Sequence, residues 1–229
     1  MFIVIDGIDG SGKTTQVAKL IKRLNDEGFK AELTKEPTDG LIGSIIRSML
    51  SSSAERPSLL SMQLLFTADR NEHVIAYKGI IESKDVILVS DRYYFSTVAY
   101  GSASGISAEY LKLINSILPK PDLSIIFEAK PEVVMERIDR RRGQKEIFEH
   151  VEFLNKVQAA YRREFPDAVF IDATKSLEEV HEDVYAVVKG FLRRWIPPCC
   201  IILSCCLPGI RRTPLSQAVR LQRTSLCLT

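Results

Sequence analysis

The stretch Phe2-Ile3-Val4-Ile5-Asp6, running directly into Gly7-Ile8-Asp9-Gly10-Ser11-Gly12-Lys13-Thr14, decides the fold. An apolar run of strand length ends in an acid, a glycine-rich turn follows, and the next segment has helical spacing. This strand, loop and helix order is the context that the pattern G-x-x-x-x-G-K-[ST] requires. Glycines let the backbone turn its N–H groups toward a phosphate, which then sits on the positive end of the helix dipole. Gly7, Ile8, Asp9, Gly10, Ser11, Gly12, Lys13, Thr14 and Thr15 therefore read as a cradle for a nucleotide polyphosphate. Lys13 adds a point charge, and Thr14 offers a hydroxyl to Mg²⁺. A glycine-rich turn without a ligand is the alternative, and the flanking strand and helix argue against it.

Outward from the loop, Lys13 to Glu27 carries Val17, Leu20, Ile21 and Leu24 at helical spacing, with Gly28 as a stop. Phe29 to Thr34 reads as a second strand, ended by Glu36-Pro37-Thr38-Asp39-Gly40. Helices are expected at Leu41 to Leu50 and, after a Ser-rich link, at Ser58 to Lys84. Val86 to Asp91 is a continuous apolar run ending in an acid. Such a run suits a parallel strand buried on both faces, and its acid falls where the ligands of α/β sheets bind. Two short helices split near Gly105 should fill Tyr94 to Leu118, and Leu123 to Phe127 gives strand four. Pro131 opens a helix leading to a basic run, Phe148 to Phe165 gives another, and Ala168 to Ile171 is strand five. The last helix carries Leu177, Val180, Val184, Val187, Phe191 and Leu192 at helical spacing. Strands alternating with helices imply a doubly wound parallel sheet with right-handed crossovers.

The 229 residues are 45% hydrophobic and 26% charged, enough for one well-buried core. A net charge of +2 gives no electrostatic footprint for nucleic acid. The first residues lack the basic and apolar regions of a secretory signal, and no apolar run has membrane-spanning length, so a cytoplasmic protein is expected. All five cysteines follow Trp195, as do Arg211, Arg212, Arg220 and Arg223, with no Lys, Asp or Glu among them. Composition breaks near Ile196-Pro197-Pro198, so residues 1–195 are read as the domain and 196–229 as a poorly ordered tail. Adjacent cysteines chelate one ion poorly. His73, His150 and His181 have no metal-ligand spacing and are expected on helix surfaces.

The loop alone does not separate kinases from GTPases or ATPases, although an Asn-Lys-x-Asp base-reading motif is not evident. Five motifs in order resemble the thymidylate kinase family of P-loop nucleoside monophosphate kinases. They are the loop at 7–15, Lys35-Glu36-Pro37, the helix from Leu41 to Arg47, Phe66-Thr67-Ala68-Asp69-Arg70, and Asp91-Arg92-Tyr93. The resemblance implies a three-layer P-loop NTPase fold with a five-stranded parallel sheet of order 2-3-1-4-5. It also implies ATP and dTMP as substrates, Mg²⁺ as cofactor, and a homodimer.

Residue by residue, the resemblance implies that Arg47 and Arg92 hold the acceptor phosphate, and that Glu36 and Pro37 shape its site. Phe66 stacks on the base, Arg70 donates to a base carbonyl, Asp9 contacts the sugar 3′-hydroxyl, and Tyr100 excludes a 2′-hydroxyl. Asp172-Ala173-Thr174-Lys175 resembles the adenine-side loop, which would place Thr174 there, with an ordinary turn as the alternative; Asp91 is expected to join Thr14 at Mg²⁺, directly or through water, and the resemblance also allows it to orient Arg92. The family supplies catalytic charge from an arginine in the loop or from a lid. Gly10 fills the loop position, so Arg140, Arg141 and Arg142, in a lid at about 139–147, take that role. The family's Ala-Tyr-Gln-Gly is here Ala99-Tyr100-Gly101-Ser102, so Ser96 or Thr97 is expected to take over hydrogen bonding from the missing amide. Another P-loop nucleotide or deoxynucleoside kinase, or a nucleotide-binding regulator without turnover, remains the alternative.

Overall fold

The computed structural model describes residues 1–51, 57–135 and 147–195. The expected lid arginines and the 196–229 tail lie outside the described residues. Five strands, β1 (Phe2–Gly7), β2 (Ala31–Lys35), β3 (Ile87–Asp91), β4 (Leu123–Glu128) and β5 (Val169–Asp172), form one all-parallel sheet in the order β2-β3-β1-β4-β5. The helices are α1 (Lys13–Asp26), α2 (Leu41–Ser51), α3 (Leu59–Ser83), α4 (Tyr94–Ala103) and α5 (Ala108–Asn115). The described part of α6 is 131–135, and α7 (Ile147–Glu164) and α8 (Leu177–Trp195) complete the set. This is the P-loop kinase fold, with helices on both faces of the sheet.

Every residue of β1 and of β3 is buried, as continuous apolar runs demand when helices cover both faces. On one face α1 brings Val17, Leu20 and Leu24, packed beside Val180, Val184, Val188 and Leu192 of α8. The fully buried line of α8 runs through Val188; Val187 and Phe191 are only partly buried, and Leu177 is exposed. On the other face α4 and α7 pack against each other, contributing Phe95, Ala99, Val157 and Tyr161; α3 lies beside α4 and brings Val74, Tyr77 and Ile81 onto the core, and α5 packs on α4.

Element ends match their local chemistry. The Ser58 side chain accepts from the Ser61 N–H at the start of α3, and Ser107 accepts from Tyr110 N–H at the start of α5. Strand β2 begins at Ala31 rather than Phe29, because Asn25 exchanges hydrogen bonds with both backbone groups of Ala31 across the preceding turn.

The register aligns the carboxyl ends of the strands. Ile5 and Lys35 both pair with Asp91, Gly7 with Phe127, and Glu128 with Asp172. The loops after β1, β2, β3 and β5 thus leave from one edge, where ligands of open α/β sheets bind.

Gly7 closes β1 at φ 137°, and a Cβ there would stand 2.5 Å from the Phe127 carbonyl oxygen of β4. Gly7→Ala is expected to lose more than about 2 kcal/mol of stability in urea titrations. A loss under about 0.5 kcal/mol would show that the β1–β4 contact gives way freely.

Candidate active site

Gly12, at φ 89°, caps α1 and aims the first helical N–H groups into the loop. Lys13 follows and is buried; its ammonium donates to the Ile8 carbonyl at 2.6 Å and lies 3.4 Å from Ser11 Oγ. Burial pushes the Lys13 ammonium down to about 8, and the Arg92 charge adds to this against the pull of Asp9, Asp91 and Asp6. Thr14 Oγ1 donates to Asp91 Oδ2 at 2.6 Å, which brings the end of β3 onto the first turn of α1. A hydroxyl beside a carboxylate is a hard oxygen pair that fits Mg²⁺. Among the described residues no three His, Cys, Asp or Glu side chains gather to hold a metal by themselves. Phosphate oxygens and water would complete such a coordination shell.

Next to this pair lies a carboxylate that the sequence reading left as a strand end. Asp6 is fully buried and accepts from the N–H groups of Gly7 (2.8 Å), Tyr93 (3.1 Å) and Ser96 (3.0 Å), and from the hydroxyls of Ser96 (2.6 Å) and Tyr161 (3.0 Å). Arg92, held at φ 76°, is fixed by this hub. Its guanidinium donates to Ser96 Oγ at 2.7 Å, to the Gly7 carbonyl at 3.1 Å, and to Asp9 Oδ1. The Arg92 charge holds the Asp9 carboxyl below the usual carboxylate range. Tyr100 completes the link, accepting from Asp9 N–H and donating to Asp9 Oδ2, both at 3.1 Å. Asp9, Arg92, Ser96 and Tyr100 therefore meet as one cluster at the loop.

A second cluster surrounds the turn after β2, where the Glu36–Pro37 peptide is cis. The buried pair of Arg70 and Glu36 meets at 2.8 Å, and Arg70 also donates to Asn115 Oδ1 at 2.7 Å. His73 Nδ1 lies 2.9 Å from the other Glu36 oxygen and Nε2 lies 2.6 Å from Thr34 Oγ1. Asp69, buried, accepts from both the N–H and the hydroxyl of Thr38, pinning the turn to α3. Arg47 donates to the carbonyls of Pro37 and Thr38 and meets Asp39 at 3.4 Å. Phe66 is half-buried one turn before Arg70. Glu36, Pro37, Arg47 and Arg70 thus surround this turn, with Phe66 on the same helix as Arg70.

The histidine expectation is overturned for two of the three. His73 and His181 are buried, and burial pushes His181 downward in pKa. Helix α3 is apolar on several faces, so position on it did not reveal which side packs inward; His73 turns to the Glu36 oxygen opposite the one Arg70 holds. The side chain of His150 lies outside the described residues. Of the two hydroxyls expected to replace the missing amide, Ser96 is fully engaged with Asp6 and Arg92, whereas Thr97 Oγ1 is buried without a partner. Thr174 sits in a turn, its N–H donating to Asp172 Oδ1 at 2.9 Å. The adjoining Leu177 carbonyl accepts from Gln16 of α1 at 2.7 Å, which keeps this segment beside the phosphate loop's helix. Asp6, Asn115 and Tyr161 were missed. Asp6 carried the signal that exposed Asp91, an acid ending an apolar run; Asn115 and Tyr161 carried none.

A glycine-rich phosphate loop with basic and carboxylate clusters beside it at the carboxyl edge of a parallel sheet is the arrangement of a P-loop kinase. The thymidylate kinase family model matches residues 5–184. The chain is 40% identical over 196 residues to "Probable thymidylate kinase" of Archaeoglobus fulgidus, covering 84% of this chain and 96% of that protein. Proteins of the same name from Pyrococcus horikoshii (39%, covering 82% and 95%) and Methanocaldococcus jannaschii (40%, covering 83% and 96%) are similar over the same extent. The chain belongs to the thymidylate kinase family.

The depressed Lys13 pKa gives a pH signature. Below about 8 the ammonium is charged before ATP arrives. Above it the lysine is neutral, and anionic phosphates must draw a proton in as they bind. Calorimetry in buffers of different ionisation enthalpy at about pH 9 should therefore detect proton uptake on ATP binding, approaching one per site, with affinity falling as pH rises. Proton-neutral binding at that pH would contradict the low Lys13 pKa.

Proposed function

We propose that the chain transfers the γ-phosphoryl group of ATP to dTMP, yielding ADP and dTDP by direct in-line displacement. Its support is family membership together with one juxtaposition: Lys13, Thr14 and Asp91 for the donor lie beside Asp9 and Arg92 for the acceptor. Each residue role below is part of this proposal.

The two substrates are both anions, so the chain must bring like charges together and stabilise the equatorial oxygens in flight. Loop N–H groups from Gly7 to Thr15 and the Lys13 ammonium hold the β- and γ-phosphates, with Thr174 on the adenine side. Arg47 and Arg92 offer guanidinium forks to the acceptor phosphate, a geometry suited to bidentate oxygen pairs. An acceptor-phosphate oxygen attacks γ-phosphorus while the bond to the β–γ bridging oxygen breaks, and ADP departs with that electron pair. Mg²⁺ near Thr14 and Asp91 supplies charge neutralisation for the β- and γ-phosphate oxygens when bound. Arg140, Arg141 and Arg142 add charge over the donor from the lid, in place of the loop arginine that Gly10 lacks.

Selectivity comes from the second cluster. Phe66 stacks on the base, Arg70 donates to a base carbonyl, Glu36 and Pro37 hold the wall, Asp9 engages the 3′-hydroxyl, and Tyr100 fills the room of a 2′-hydroxyl. Ser96 and Thr97 border this pocket, with Ser96 acting through Arg92. Among the described residues no helix is long and apolar enough to cross a membrane, and the cytoplasm, where ATP and dTMP occur, is the proposed location.

The active form is proposed as a homodimer packed through α3. Leu60, Leu64 and Ile75 of that helix are 40%, 41% and 60% exposed. They share one face, turned away from the face that buries Asp69, Arg70 and His73.

A coupled assay with ATP and dTMP, dUMP, UMP, CMP, AMP or thymidine should find dTMP fastest. Faster turnover of AMP or thymidine would sink the assignment, and no turnover of any would favour a regulator. Lys13→Ala should lower kcat on the order of 10²–10³-fold while dTMP binding persists. Light scattering should give a dimer for the native chain and a monomer for Leu64→Glu/Ile75→Glu; a native monomer would refute the α3 interface.

A further inference from the structure

Two buried side-chain oxygens on neighbouring helices have no hydrogen-bond partner, Gln63 Oε1 of α3 and Thr97 Oγ1 of α4. Gln63 is 8% exposed and Thr97 2%. Buried polar atoms are nearly always paired, so two orphans on helices that pack against each other ask for a ligand that pairs them. Gly101 lies one turn after Thr97 on α4. A Cβ built on it would stand 3.3 Å from Gln63 Cγ, 3.6 Å from Gln63 Cδ and 2.5 Å from Leu111 Cδ1. Leu111 therefore fills the room that a larger residue at 101 would claim, and Gln63 from α3 lies in contact beside it.

On α3, Gln63 precedes Phe66 by three residues and Arg70 by seven, which puts all three on one helical face. Among the described residues Arg70 directs three of its five N–H groups to Glu36 and Asn115, leaving donors for a ligand. The face thus combines a flat aromatic side chain, a fixed donor and an orphan acceptor. That set matches the imide edge of a pyrimidine, where an N–H lies between two carbonyls. A cytosine edge would set its amino group against Arg70 and bring no N–H to Gln63 Oε1.

We propose that Gln63 is a specificity-determining residue for the acceptor base, its amide oxygen taking the imide N–H of the pyrimidine while Thr97 Oγ1 serves the same edge. This rests on the dTMP kinase reading. Gln63 stands outside the phosphoryl-transfer step, so its removal acts on KM for the acceptor and on base choice.

The test compares dTMP with its N3-methyl derivative, which keeps shape and both carbonyls but lacks the N–H. Native enzyme should prefer dTMP by on the order of 10²-fold or more in kcat/KM. Gln63→Leu should raise KM for dTMP about tenfold and shrink that preference, with kcat and KM for ATP within about twofold. A folded Gln63→Leu with native KM and native preference overturns the proposal. Should Gln63→Leu not fold, Gln63→Met keeps the apolar stem and is held to the same two outcomes. Native enzyme indifferent to N3-methylation overturns the proposal without any variant. Native enzyme with no turnover of dTMP overturns the kinase reading itself, which separates the two failures.

Discussion

The buried carboxylate of Asp6 is the constraint on which the rest of the site depends. Placing an anion at the end of a strand wholly inside the molecule is costly unless donors surround it. Here they come from the loop (Gly7), from the start of α4 (Tyr93 and Ser96) and from α7 (Tyr161). One carboxylate thereby fixes three segments far apart in sequence, and Arg92 is aimed by the Ser96 hydroxyl that Asp6 holds. The left-handed backbone at Arg92 is tolerated because the residues on both sides are anchored. Ser90 Oγ donates to the Arg92 carbonyl, and Tyr93 N–H donates to Asp6.

The second cluster works on the same principle with opposite charges. Glu36 faces Arg70 on one oxygen and His73 on the other, and all three are buried. Removing one member of such a pair strands the other and typically costs about 3–5 kcal/mol, whereas replacing both by apolar groups can be neutral. The arrangement is therefore better understood as setting where a guanidinium points than as a source of stability. Asn115 adds the remaining restraint from α5.

Much of the fold was legible because strand and helix periods were unmixed. The apolar runs at Phe2–Ile5 and Ile87–Val89 could only be parallel strands covered on both faces, and Ser58, Gly28 and Gly105 marked boundaries well. Phosphate-loop residues, Asp91, Arg92, Arg47, Phe66 and Arg70 were legible as candidates because motif spacing is local. What escaped was non-local. Tyr161 meets Asp6 across 155 positions and Asn115 meets Arg70 across 45, and no spacing rule reports such pairs. The burial of His73 was hidden for a different reason: α3 is apolar around much of its circumference, so periodicity did not single out its inner side. Gly101 could be read as a loss, but not that Leu111 takes up the vacated volume with Gln63 beside it, since that depends on how α3 and α5 cross α4.

Asp9 belongs by its backbone to the donor loop and by its carboxylate to the acceptor side, through Arg92 and Tyr100. The same Arg92 charge adds to burial in lowering the Lys13 pKa. In the proposed transfer the two substrates therefore do not see independent sites. Whatever free energy one anion gains by rearranging this shared set of charges is passed to the other in equal measure, because coupling between binding equilibria is reciprocal. In thermodynamic terms the loop is the common variable of two binding isotherms, and its sequence is constrained from both sides at once.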